Sequence, residues 1–97
     1  APVDPDGDVH APGDGLAQTR RCLAIIKESL AKLGIGMDRV VRTRMFTTDI
    51  DRWENYGIAH REVFGDHPPT TTLVEVARLI HPDMLIEIEA DAVVEEE

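Results

Sequence analysis

The strongest constraint on what this chain can become lies near its end. From Met84 to Val94 the chain reads as a strand, with Met84, Ile86, Ile88, Ala90, Ala92 and Val94 on one side and Glu87, Glu89 and Asp91 on the other, the alternation being strict from Ile86 to Ala92. Alternation of period two over this length is the pattern of a strand with one apolar face and one polar face. Such a strand must bury its apolar face against a second layer, and the chain supplies helices for that layer. Leu16, Leu23, Ile26, Leu30 and Leu33 recur at steps of seven, three, four and three, one stripe of an amphipathic helix. Asp14 is placed to cap its start and Gly34 to close it in a left-handed conformation. Lys27 and Lys32 sit near its negative end, where the macrodipole favours them. Cys22 reads as a small buried or half-buried side chain on this helix, because nothing beside it in sequence would activate a thiolate.

The remaining elements follow from the same periodicities. Arg39 to Thr48 is β-branched and alternating, with Val41, Thr43, Met45 and Thr47 on one side and Val40, Arg42, Arg44 and Phe46 on the other, a strand with a mixed face. Thr48 or Asp49 then caps a second helix from Asp51 to Phe64, with Trp53, Tyr56, His60 and Phe64 at helical spacing and Gly65 as its stop. Asp66-His67-Pro68-Pro69 is a loop, since proline cannot donate to a ladder. A further strand is expected from Thr71 to Leu79, joined to the strand Met84–Val94 by a hairpin turn at Pro82-Asp83. Residues 1–14 form a polar, extended lead-in with a turn at Asp6-Gly7. The expected architecture is a single α+β domain over 1–97, with two helices on one face of a sheet. The middle strand carries Val74 and Val76 on one face and Leu73, Ala77 and Leu79 on the other. Apolar residues on both faces call for cover on both sides, and an identical subunit is the simplest partner for the second.

Composition excludes several functions. The 97 residues carry 19 acidic and 10 basic side chains, a net charge of -9, and the basic residues are scattered or paired at most. Nucleic acid is therefore not an expected partner. One cysteine cannot form an intrachain disulfide, and no apolar run approaches the ~20 residues of a membrane span. A cytoplasmic protein without a membrane partner is the expectation. The four histidines, His10, His60, His67 and His81, have no metal-ligand spacing, so no metal site is expected. His60 falls at the edge of the second helix's stripe, and His67 and His81 read as solvated loop residues beside prolines. Glu87 and Glu89 share a strand face. Paired carboxylates can do acid–base work when one is desolvated, although alternating glutamates are equally what a solvent-facing sheet produces.

The segment Pro69 to Ala92, Pro-Thr-Thr-Thr-Leu-Val-Glu-Val-Ala-Arg-Leu-Ile-His-Pro-Asp-Met-Leu-Ile-Glu-Ile-Glu-Ala-Asp-Ala, resembles the signature of the RidA/YjgF family. That signature runs Pro-x-Arg-(Ser/Thr)-x-Val-Glu-Val-x-x-Leu, a turn, and x-(Val/Ile)-Glu-Ile-Glu-Ala-x-Ala. Gly13-Asp14, Gln18-Thr19 and Leu23-x-x-Ile26 resemble the family's first helix. Asp38-x-Val40-Val41-Arg42 and Phe46-Thr47-Thr48-Asp49 resemble its central strand, and Val63 to Pro69 the close of its second helix. The resemblance implies a chorismate-mutase-like α+β fold assembled as a homotrimer, with a small-metabolite cleft between neighbouring subunits. It also implies hydrolysis of reactive enamines and imines to 2-keto acids and ammonia, without metal or organic cofactor. In such members an arginine clamps the substrate carboxylate bidentately, and a glutamate of the last strand positions or activates the attacking water.

Carried over residue by residue, the glutamate is Glu87. The ligand-binding positions that the resemblance implies are Thr71, Thr72, Leu73 and Gly57, with Leu73 standing where a backbone N–H of the family helps hold the carboxylate. The arginine position is held by Thr71, and an asparagine often found in the second helix is replaced by Gly57. Losing a charged, bidentate contact costs about 2–5 kcal/mol of carboxylate binding. Family members also usually begin with two strands that line the same cleft, and this chain begins where those strands would have ended. The expectation is a metabolite-binding family member of enamine/imine deaminase ancestry with weak or no activity on 2-imino acids. The alternative is a non-catalytic ligand-binding or regulatory trimer. A ribonuclease activity, as attached to some relatives, fits poorly with so acidic a chain. Arg42, Arg44 and Arg78, read here as exposed residues, are the candidates for restoring the missing charge.

Overall fold

In a computed structural model, which describes residues 1–95, helix α1 spans Gly15–Ala31, strand β1 Val40–Thr47, helix α2 Trp53–Phe64, strand β2 Thr70–Glu75 and strand β3 Ile86–Ala92. Short 3-10 turns at Met37–Arg39 and Ile50–Arg52 lead into β1 and α2. Of the acidic run Glu95 to Glu97, the last two residues lie outside the described part. The strand order is β2-β1-β3, with β2 parallel and β3 antiparallel to β1. The fold is α+β, with both helices on one face of the sheet.

The hairpin expected at Pro82-Asp83 is not formed, because β2 and β3 flank β1 on opposite sides. Helix α2 is the crossover that returns β2 parallel to β1, which leaves the other edge of β1 for β3. The segment from Val76 to Leu85 must then cross the end of β1. It is pinned there by Val76 N donating to Thr47 O (2.8 Å) and Thr48 N donating to Leu85 O (3.1 Å). A turn does exist, with Met84 N donating to His81 O, but it lies within the crossing. The same geometry shortens the expected strands. β2 stops at Glu75 rather than Leu79 because β1, its partner, ends at Thr47 and bends into the 3-10 turn.

Asp14 caps α1 by accepting from Ala17 N (2.9 Å). Ile35 N donates to Leu30 O and Gly34 N to Ala31 O, with Gly34 at φ 74°, a left-handed closure that glycine adopts without strain. The buried face of α1 is Gly15, Gln18, Thr19, Cys22 and Leu23, rotated from the expected leucine stripe, and Leu33 is exposed. Polar side chains win this face because they find partners. Gln18 Nε2 donates to Asp83 O and its Oε1 accepts from Leu85 N, both at 2.8 Å, and Thr19 donates to Gly15 O. Gly15 permits close approach of the helices, since a Cβ there would lie 3.2 Å from a Tyr56 ring carbon.

On α2, Tyr56, Ala59 and His60 are buried, while Trp53, expected on the same stripe, is exposed at the first turn. Asp49, one of the two expected caps, accepts from Asp51 N at the start of the 3-10 turn. The core gathers Cys22, Leu23, Met45, Tyr56, Ile86 and Ile88, with Ile26, Phe64 and Leu73 packed against it. A bulge between Val40 and Arg42 moves Val41 to the exposed side, so that Val40, Thr43, Met45 and Thr47 are the buried residues of β1. The lead-in closes on itself through an antiparallel bridge between Val3 and Val9, and Arg21 Nε fixes it to α1 by donating to Val3 O. Among the described residues no helix is long and apolar enough to cross a membrane.

Candidate functional site

The two faces of the sheet have different chemistry. The register aligns Thr70, Arg42 and Asp91 in one row, Thr72, Arg44 and Glu89 in the next, and Val74, Phe46 and Glu87 in the third. All lie opposite the helices, because the alternate residues Thr43, Met45, Thr47, Ile86 and Ile88 are in the core. Two of the rows hold ion pairs across β1 and β3. Arg42 Nε lies 2.7 Å from Asp91 Oδ2, and Arg44 Nε lies 3.1 Å from Glu89 Oε1. Glu87, in the third row, has the apolar Phe46 as its cross-strand neighbour.

Glu87 also lines an open groove of about 1090 Å³ shared with Thr48, Arg78, Leu79, His81 and Met84. The crossing segment forms one wall of it, and its position follows from the pinning at Thr47, Thr48 and Gln18. Arg78, expected on a strand, therefore lies on this segment after the end of β2. His81, expected as a solvated loop residue, is exposed and caps its own turn by accepting from Asp83 N (3.0 Å).

The other expected site residues lie elsewhere. Thr71 points to the helix side, where its Oγ1 is 2.8 Å from Thr43 Oγ1 and 3.4 Å from His60 Nε2. Thr72 is exposed in the row of Arg44. Leu73 packs on the core from β2, with Met45 as its register partner. Gly57 is on the exposed side of α2, with open space where a Cβ would be. Within one chain the structure joins Thr71 to Thr43 and His60, and Glu87 to Arg78 and Thr48, but does not bring these two groups together.

Sequence reasoning missed the polar layer between sheet and helices. Thr43 and His60 are buried and bonded to each other (Thr43 Oγ1 to His60 Nε2, 2.8 Å). Burial pushes the His60 pKa down, and its ring stacks at a tilt on Phe64 with centroids 4.6 Å apart. Beside it, Thr47 Oγ1 lies 2.7 Å from Tyr56 Oη, which donates to Asp49 O. The available signal was Tyr56 and His60 four apart on the helix facing Thr43 and Thr47 four apart on the strand. Cys22, expected to be a small buried or half-buried side chain, is buried, and desolvation raises its thiol pKa to about 11. Among the described residues no cluster of three His, Cys, Asp or Glu side chains is gathered to hold a metal ion.

A parallel-plus-antiparallel sheet backed by two helices, with a strand glutamate at an open groove, describes a small α+β protein. Comparisons with known proteins give the family. The family model described as Endoribonuclease L-PSP matches residues 1–94, and the chain belongs to this RidA/YjgF family. A RutC family protein of Pyrococcus abyssi is 34% identical over 94% of this chain and 71% of its own length. The 2-iminobutanoate/2-iminopropanoate deaminase of Escherichia coli is 35% identical over 95% of this chain and 73% of its own. A YjgF-type family member of known structure from Mycobacterium tuberculosis superposes with a TM-score of 0.81 at 48% identity, covering 84% of this chain and 70% of that one.

Proposed function

We propose that the protein is a cytoplasmic homotrimer that binds a small metabolite in clefts between its subunits, on a site of enamine/imine deaminase type that is weak on 2-imino acids. Glu87 is the group that handles water at the imine carbon. The observation that carries this reading is the placement of Glu87 at an open groove, in a family whose relatives include a protein named as a 2-imino acid deaminase. Glu89 is engaged by Arg44 across the sheet at 3.1 Å, whereas the charged contact of Glu87 is a longer one, 3.5 Å from its Oε1 to the Ala1 amino group. The orientation of Thr71 supports low activity on acidic imines, because its short hydroxyl carries no charge and is held by Thr43 and His60. A cleft that uses both Glu87 and position 71 must combine two chains, since the two side chains leave one sheet in opposite directions. The exposed apolar residues Val41, Val74 and Ile80 are surface that an identical subunit would cover. Small-molecule sites of this kind need no cofactor when a positioned carboxylate and water suffice.

The test is turnover of freshly generated 2-iminopropanoate by the purified protein, by Thr71→Arg and by Glu87→Gln, after light scattering has established a trimer for each. Weak turnover that Glu87→Gln abolishes and Thr71→Arg raises is the expected result. A non-catalytic, ligand-binding or regulatory trimer is the second reading, favoured by the absence of charge at Thr71. It is supported if neither the parent nor Thr71→Arg turns over while metabolites still raise the melting temperature. A monomer in solution sinks the intersubunit site in either form.

A further inference from the structure

The groove that holds Glu87 also holds a cation, Arg78, with no carboxylate partner among the described residues. Among the described residues every arginine except Arg61 and Arg78 has an acidic partner within 4.0 Å. Arg42 and Arg44, the other candidates for supplying charge to the site, are committed to Asp91 and Glu89 across the sheet. Arg61 lies on the exposed side of α2, away from the groove. Arg78 alone is both uncommitted and in the groove wall. Its backbone is anchored on both sides, by Val76 N on Thr47 O and by the Gln18 contacts to Asp83 and Leu85. The guanidinium thus projects from a segment whose course is fixed, a condition for useful recognition. An anionic ligand approaching a protein of net charge -9 needs such a local cation.

We propose that Arg78 binds the anionic end of the ligand whose nitrogen-bearing end meets Glu87. The ligand class is a small carboxylate with an amine, imine or enamine at its other end, matching a guanidinium and a carboxylate in one groove. Because the cation sits on the crossing segment rather than on β2, the ligand's carboxylate need not be on the carbon that bears nitrogen. This inference rests on the reading of Glu87 as the working group of the site.

The test uses the intact protein and a series of ω-amino acids from glycine to 5-aminopentanoate, each paired with its neutral-ended amide, with binding followed by NMR shift titration. At the best chain length the parent is expected to bind the acid about ten- to a hundredfold more tightly than the amide. Arg78→Gln abolishes that preference, Arg78→Lys keeps part of it, and Arg61→Gln leaves it intact, with melting temperatures confirming that each variant is folded. No acid preference at any length, or a preference that survives Arg78→Gln, overturns the proposal. Imine turnover separates this from the wider reading. Turnover that depends on Glu87 with no acid preference leaves the deaminase reading standing and the Arg78 assignment refuted. An acid preference lost in Arg78→Gln without any turnover does the reverse.

Discussion

Thr71 and Glu87 leave the same sheet from opposite faces, the first bonded to Thr43 on the helix side and the second at the open groove beyond Phe46. Substitutions at the two positions are therefore separable in their effects on folding. Thr71→Val removes a hydroxyl that Thr43 and His60 share, and is expected to cost about 1 kcal/mol. Glu87→Gln, on a partly exposed residue facing solvent, is expected to change stability by less than about 0.5 kcal/mol. Urea unfolding of the two variants checks this, and equal losses would contradict the assignment of Thr71 to the helix side.

His60 gives the protein an acid-sensitive layer. Its imidazole is buried, accepts or donates to Thr43, and has a pKa lowered by desolvation. In the pH range between its lowered native value and the ordinary ~6.5, the unfolded chain binds more protons than the native one, so stability rises with pH. This contribution is complete above about pH 6.5 and is lost as the pH falls below it. His60→Gln, which keeps a polar partner for Thr43, is expected to flatten the loss of stability between about pH 7 and pH 5. Superimposable pH profiles for the parent and this variant would show that the loss comes from other groups.

The sulfhydryl of Cys22 should be inert in the native state. It is 2% exposed, and its pKa of about 11 leaves little thiolate at neutral pH. Reaction with a chromogenic disulfide reagent at pH 8 is expected to be at least about a hundredfold slower in buffer than in denaturing urea. Similar rates in both would mean that α1 opens readily from the sheet.

Gln18 is the internal fastening of the groove wall. Gln18→Ala would leave Leu85 N–H and Asp83 C=O without their partners, at a cost of about 2–3 kcal/mol and a fall in Tm on the order of 10 °C. Hydrogen exchange at the Leu85 amide should accelerate by more than that at the Met45 amide in the core. A uniform acceleration across the protein would argue against a local role.

Much of this was legible from periodicity, and the failures have a common cause. The strict alternation around Ile86 and Ile88 located β3, and Asp14 and Gly34 marked the ends of α1, because these signals depend on local backbone geometry. The hairpin at Pro82-Asp83 was misread because turn chemistry says that the chain reverses, not which strand it then pairs with. The buried face of α1 was misplaced for a related reason. Gln18 and Thr19 look like surface residues until Leu85, Asp83 and Gly15 are known to satisfy them. At the site, Glu87 could be singled out by resemblance alone. Its groove companion Arg78 was one of three candidate arginines with Arg42 and Arg44, and could not be told from them, since its placement depends on where β1 ends.

The bond from Leu85 N to Gln18 Oε1 spans 67 residues, and its consequence extends to how the molecule is made. Helix α1 emerges well before the residues it bonds to, and its polar inner face has no proper partners until the segment before β3 has been translated. Formation of that face is therefore a late, closing event, since contacts of such sequence separation carry the entropy of the loop between them. During synthesis α1 is a helix with half its stabilising surface still missing, and the earliest point at which it can lock is when Leu85 has cleared the ribosome.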